Sequence, residues 1–93
     1  MAYHILYSET TRKQIKKLHP QIRADVKSTI EGLQENPFTG KWLEKDLSGY
    51  LSIRMKRFRI IYKINENDHK VEIHHVGHRK DIYELFRESI AKD

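Results

Sequence analysis

Between Tyr50 and Lys63 the chain reads YLSIRMKRFRIIYK, with Arg54, Lys56, Arg57, Arg59 and Lys63 and no acid. Those five positive charges equal the formal net charge of the whole 93-residue chain, +5, so the remainder sums to zero. A concentrated basic stripe on a balanced background fits an anionic partner, most often a nucleic acid. It fits a solvated basic surface as well. Guanidinium forks can bind phosphate in a bidentate fashion, so the relative placement of the arginines decides between the two. His74, His75 and His78 are the other residues with chemistry to offer, as metal ligands. Zinc needs three or four converging ligands. Neighbours on a strand such as His74 and His75 point to opposite faces, and the chain has no Cys to complete a set. Neither a metal nor a cofactor is expected.

The elements that must carry these residues follow from pattern. Tyr3 to Ser8 is aromatic and β-branched and reads as a strand. Thr10 to Leu18 reads as a short amphipathic helix, with Ile15 and Leu18 among basic residues and Ser8, Thr10 or Thr11 as N-cap. His19-Pro20 breaks it. Pro20 then suits the first turn of a second helix to about Gln34, with Ile22, Val26, Ile30 and Leu33 along one face. Asn36 to Gly40 is a loop. Lys41 to Gly49 has no clear pattern; Trp42, Leu43 and Leu47 are candidates to pin it to the core. Strands are predicted over Tyr50 to Met55, Phe58 to Ile64 and Lys70 to Gly77, with a turn at Asn65 to Asp68. Asp81 to Ile90 reads as a closing helix. The order β-α-α-β-β-β-α predicts an α+β fold: an antiparallel sheet of about four strands packed against an N-terminal helical hairpin, with a C-terminal helix and the helices on one face.

Strand alternation sorts the cations. Leu51, Ile53 and Met55 share one face of their strand, and Ser52, Arg54 and Lys56 the other. On the next strand Phe58, Ile60, Tyr62 and Ile64 share one face, and Arg57, Arg59, Ile61 and Lys63 the other. A two-residue Lys56-Arg57 turn sets Met55 opposite Phe58 and Arg54 opposite Arg59. Like charges opposed on a ladder cost on the order of 0.2–1 kcal/mol, so the pair requires acids, a bound anion, or side chains that splay into water.

The chain has length for one domain, residues 1–93. With no Cys, disulfides and thiolate nucleophiles are excluded. No apolar run approaches the roughly 20 residues that span a bilayer, and the N-terminus does not read as a signal peptide. A cytoplasmic protein without membrane association is expected.

Phe58-Arg59-Ile60-Ile61-Tyr62, preceded by Ile53-Arg54, resembles the hairpin of the RelE/ParE toxin superfamily. Val76-Gly77-His78-Arg79-Lys80-Asp81-Ile82-Tyr83 resembles the C-terminal G-x-R-x-x-x-Y block of its RelE branch. The resemblance extends over nearly the whole chain. It implies a toxin of a type II toxin–antitoxin system that cleaves mRNA in the ribosomal A site without a metal, by attack of the 2′-hydroxyl on the adjacent phosphate. By the same resemblance, Arg59 binds the scissile phosphate, Arg79 stabilises or protonates the leaving group, and Tyr83 stacks on a base or assists proton transfer. Two strand lysines of the family have no counterpart here; the matching positions are Tyr50 and Ser52, or Ser52 and Arg54. Lys56 and His78 are the nearest substitutes for the proton-taking group. Arg54, Arg57, Lys63, Lys80 and His78 are the expected RNA-binding residues. The implied partners are a cognate antitoxin, in a hetero-oligomer, and mRNA on the ribosome with its rRNA. The alternatives are a ParE-like inhibitor of DNA gyrase without nuclease activity, or an inert relative that only binds antitoxin.

Overall fold

A computed structural model describes residues 2–92. The elements are β1 (His4–Tyr7), α1 (Glu9–Lys16), α2 (Pro20–Gly32), β2 (Lys41–Trp42), β3 (Leu51–Met55), β4 (Phe58–Asn65), β5 (Lys70–His78) and α3 (Ile82–Ala91), with 3-10 turns at Pro37–Thr39 and Lys45–Leu47. The strands form one sheet in the order β1-β5-β4-β3-β2. β1 runs parallel to β5, and every other pairing is antiparallel. The sheet has five strands instead of about four. The additional one is β2, two residues from the segment without a sequence pattern, which pairs with β3 at the edge of the sheet.

Local chemistry sets the entry to the helical hairpin. Ser8 is the N-cap of α1, its Oγ accepting from the Thr11 N–H at 3.0 Å. Past the Tyr7–Ile73 pair, β1 stops covering the β5 edge. Side chains of α1 take over: Thr11 Oγ1 donates to the Ile73 carbonyl at 3.0 Å, and Gln14 Oε1 accepts from the Val76 N–H at 2.7 Å. Buried backbone groups thereby keep their partners. Pro20 opens α2. The carbonyls at the end of α1 need donors. Arg23 supplies them, donating to the carbonyls of Ile15, Lys16 and Leu18 at 3.3, 3.0 and 3.2 Å.

The sheet is covered on both faces. On one, Ile15, Val26, Ile30 and Leu33 of the N-terminal half pack on Leu51, Met55, Ile60, Tyr62, Val71, Ile73 and Val76. On the other, Ile82 and Phe86 of α3 pack on Ile61 and Leu47. The expectation of helices on one face is therefore corrected. Its physical reason is Ile61, an apolar residue on the basic side of β4 that is fully buried, and α3 is what buries it.

A β-bulge corrects the histidines as well. Ile61 pairs with His75 but Tyr62 pairs with Ile73, which leaves His74 as the extra residue of β5. Both histidines then turn towards α3. The His74 ring lies 5.4 Å from Tyr50 and 6.3 Å from Phe86, and the His75 ring 5.7 Å from Phe86.

Trp42 is not a core anchor: it is 53% exposed and sits beside Phe38, with ring centroids 6.4 Å apart. Leu47 is buried as expected. The segment leading into β2 is fastened instead by Tyr62, whose hydroxyl donates to the Pro37 carbonyl at 2.7 Å and accepts from the Gly40 N–H at 3.1 Å. Gly40 is required there because any Cβ would land on that hydroxyl.

Two consequences follow for stability. Tyr62→Phe strands the Pro37 carbonyl and the Gly40 N–H, and urea denaturation should show a loss of about 1–3 kcal/mol with an unchanged m-value. Burial holds the pKa of His75 below its ordinary 6.5. The unfolded chain then binds the proton more readily, so this group's contribution is greatest above that value and declines as pH falls from 6.5 towards the lower folded value. Urea midpoints measured across that window should decline for the wild type and flatten in His75→Gln.

Candidate nucleic-acid interface

The β3–β4 hairpin has the register expected from its side-chain pattern. Met55 pairs with Phe58 and Arg54 with Arg59, around a two-residue turn of Lys56 and Arg57. Lys56 takes φ 57°, the left-handed backbone such tight turns use. The two opposed arginines relieve their repulsion by diverging along β3. Arg54 Nε donates to the Lys56 carbonyl at 3.0 Å, over the turn, while Arg59 Nη1 donates to Ser52 Oγ at 3.0 Å, away from it. The fold therefore does not unite Arg54 with Arg59.

It unites Arg59 with Tyr83. Ser52 is 1% exposed, and its hydroxyl also accepts from Tyr83 Oη at 3.1 Å. Tyr83 lies in the first turn of α3, directly after Ile82, which is fully buried against the sheet. One small hydroxyl thus joins a strand guanidinium to a helix phenol on the face that carries α3. The sequence drew notice to Ser52 only as a position where the family carries a lysine, not as a bridging hydroxyl. A serine alternating with Leu51 and Ile53 reads as an ordinary solvent-side residue of a strand, and its burial becomes visible only once α3 is laid over it.

Arg79 enters from β5. Its N–H donates to the Arg57 carbonyl at 2.7 Å, which continues the β4–β5 ladder one residue beyond the Phe58–His78 pair. Arg59 pairs with Gly77, so Arg79 arises at the same end of the sheet, two residues along from the partner of Arg59. Gly77, between them, lies under Ile82 of α3, which a Cβ at this position would meet at ordinary contact distance. Among the described residues, none of Arg54, Arg57, Arg59 and Arg79 is ion-paired. This end of the sheet is a concentration of uncompensated positive charge.

Other residues singled out in the sequence lie elsewhere. Lys56 does not share the face of Ser52 and Arg54: its Nζ is 2.7 Å from Asp25 Oδ2 on α2, on the hairpin side of the sheet. The turn backbone at Lys56 breaks the strand alternation that predicted otherwise. The same contact, first as a hydrogen bond, lowers the Asp25 pKa. His78 sits edge-on to Phe58, with centroids 5.8 Å apart, across β4 from Arg59. Its Nδ1 accepts from the Lys80 N–H at 3.3 Å. Lys80 and Arg57 are exposed at the rim. Lys63 is on the α3 side but further along β4, with Nζ 5.5 Å above the Tyr50 ring.

Comparison with known proteins agrees with this architecture. The family described as the ParE toxin of the type II toxin–antitoxin system parDE matches residues 5–83. Toxin RelG of Mycobacterium tuberculosis is 36% identical over 85 residues, which is 89% of this chain and 98% of that protein. Toxin RelE of the same organism is 33% identical, covering 89% and 88%. Among solved structures, the toxin–antitoxin complex RelBE2 of M. tuberculosis superimposes with a TM-score of 0.80 at 32% identity, over 85% of this chain and 100% of that one. A variant of the E. coli toxin RelE in the free state shares the fold, with a TM-score of 0.80 at 20% identity over 99% and 98% of the two chains. The strand order, the cationic hairpin and these likenesses together make the chain a member of the ParE toxin family of type II toxin–antitoxin systems, a toxin of the RelE/ParE superfamily.

Proposed function

We propose that this toxin is a ribosome-dependent mRNA endonuclease that cleaves in the A site through the 2′-hydroxyl of the RNA itself. In this reaction the 2′-oxygen bonds to phosphorus and the P–O5′ bond breaks. The 2′ proton leaves, the 5′-oxygen gains one, and the products are a 2′,3′-cyclic phosphate and a 5′-hydroxyl. Neither a metal nor a cofactor enters. The observation that carries the reading is the Ser52 hydroxyl bonded at once to Arg59 and Tyr83, at 3.0 and 3.1 Å.

The chemistry needs charge aimed at a pentavalent phosphorane, and fixed cations whose geometry is set beforehand are the effective way to supply it. Arg59, half-buried and tethered, is suited to the non-bridging oxygens. Arg79 is suited to the departing 5′-oxygen; an arginine pKa above about 12 makes this an electrostatic role. Tyr83 offers a ring on which a base can stack, as single-stranded RNA is commonly gripped. Arg54, Arg57 and Lys80 add phosphate contacts that give affinity without sequence choice. A cognate antitoxin that covers this face is the natural partner, and the likeness to toxin RelBE2 in its complex supports it. The toxin then acts in the cytoplasm, where ribosomes are. Among the described residues no helix is long and apolar enough to cross a membrane.

A second reading has one observation in its favour: the matching family is described by the ParE toxin. Under it the protein inhibits DNA gyrase and leaves RNA intact.

Primer extension on an mRNA translated in a cell-free system separates them. Cuts confined to translated codons are expected; intact mRNA with impaired supercoiling reverses the order. Arg59→Ala and Arg79→Ala should each lower cleavage by at least about 100-fold, with unchanged thermal melts. Tyr83→Ala should lower cleavage severely, whereas Tyr83→Phe, which keeps the stacking ring, should stay near wild type. Ser52→Ala frees both side chains and should cost about tenfold.

A further inference from the structure

Attack by the 2′-hydroxyl calls for positive charge beside the attacking oxygen as well as beside the leaving one. The two residues first considered for that end are turned elsewhere: Lys56 to Asp25 on α2, and His78 to Phe58. β3 carries no lysine at all. The edge strand β2 does. Its two residues pair with β3 as Lys41–Ser52 and Trp42–Leu51.

Directly opposed residues of an antiparallel pair send their side chains to the same face, from Cβ atoms about 5 Å apart. Lys41 thus leaves the sheet beside Ser52, on the face of the hydroxyl that Arg59 and Tyr83 both hold. Lys41 and Tyr83 line one groove of about 480 Å³ between β2 and α3. The Lys41 side chain is exposed, and among the described residues it has neither an ion pair nor a side-chain hydrogen bond. Two other cations line the groove: Arg87 is occupied by Asp46 at 2.9 Å, and Lys45 lies outside the pairing with β3.

We propose that Lys41 is a further catalytic residue of this site: its ammonium, reaching across from the neighbouring strand, contacts the RNA at the scissile link and stabilises the negative charge that builds there. The inference rests on the nuclease reading above. It explains why a site whose own strand lacks lysine still has an amine beside Ser52. It also gives the two-residue strand β2 a purpose, since the pairing with β3 is what holds Lys41 at that position. The role is that of a cation, so arginine can replace it and an isosteric apolar residue cannot.

The test compares single-turnover cleavage of translated mRNA at saturating toxin for the wild type, Lys41→Met, Lys41→Arg, Lys45→Met and Arg59→Ala. Lys45 lines the same groove but does not pair with Ser52. Lys41→Met should lose about 10- to 100-fold with an unchanged thermal melt, Lys41→Arg should remain within about threefold of wild type, and Lys45→Met should match it. Four results overturn the assignment. Lys41→Met cleaves normally while Arg59→Ala is dead, which removes Lys41 and leaves the site standing. Lys45→Met loses as much as Lys41→Met, which reduces the effect to general basicity. Lys41→Arg fails along with Lys41→Met, which excludes a purely cationic role. Arg59→Ala also cleaves normally, which removes the whole site and the nuclease reading with it.

Discussion

A serine hydroxyl has two lone pairs, and at Ser52 they meet Arg59 Nη1 at 3.0 Å and Tyr83 Oη at 3.1 Å. The two donors, Arg59 and Tyr83, lie more than twenty residues apart in sequence, on elements that pack from different directions. Their meeting depends on three conditions. The hairpin register must put Arg59 diagonal to Ser52, α3 must cross that face, and Ser52 must be small enough to lie beneath both. The site thus rests on an ordinary neutral hydrogen-bonding group, made directional by burial, where unmade bonds are costly.

The route of α3 has its own cause. Ile61 and Leu47 present apolar surface on the face that carries the cations, and Ile82 and Phe86 cover it. The bulge at His74 supports the same packing by turning two successive β5 side chains toward Phe86. With the helix there, the basic face divides in two. Lys63 is left on the far part, above Tyr50, while Arg54, Arg57, Arg59 and Arg79 gather near the hairpin end. A uniform basic stripe in the sequence thereby becomes a localised patch with an aromatic at its margin. Under the proposed function, such a combination suits a single strand of RNA better than a duplex, because stacking on an aromatic requires unpaired bases.

The arginine pair shows how the chain tolerates a local conflict. Arg54 and Arg59 are directly opposed in the ladder, an arrangement that costs free energy in isolation. The conflict is resolved within the hairpin by sending one guanidinium over the turn and the other toward Ser52. That divergence also aims Arg59 at Tyr83. Proteins commonly accept such local frustration where a site needs it.

Much was legible from residue order alone. Arg59, Arg79 and Tyr83 stand out through the resemblance of their motifs to a toxin family. The two-residue Lys56-Arg57 turn, the Arg54–Arg59 register, the Ser8 cap and the Pro20 start of α2 follow from periods of 2.0 and 3.6 and from local motifs. These are short-range properties, encoded within a few residues of where they act. What tertiary structure alone decided is long-range: α3 on the second face, the bulge that turns His74, Lys56 drawn to Asp25, Trp42 left exposed, and β2 carrying Lys41 to the side of Ser52. Periodicity assigns a residue to a face of its own element. Which neighbour covers that face is settled by the packing of apolar groups far apart in the chain, and no local pattern records it.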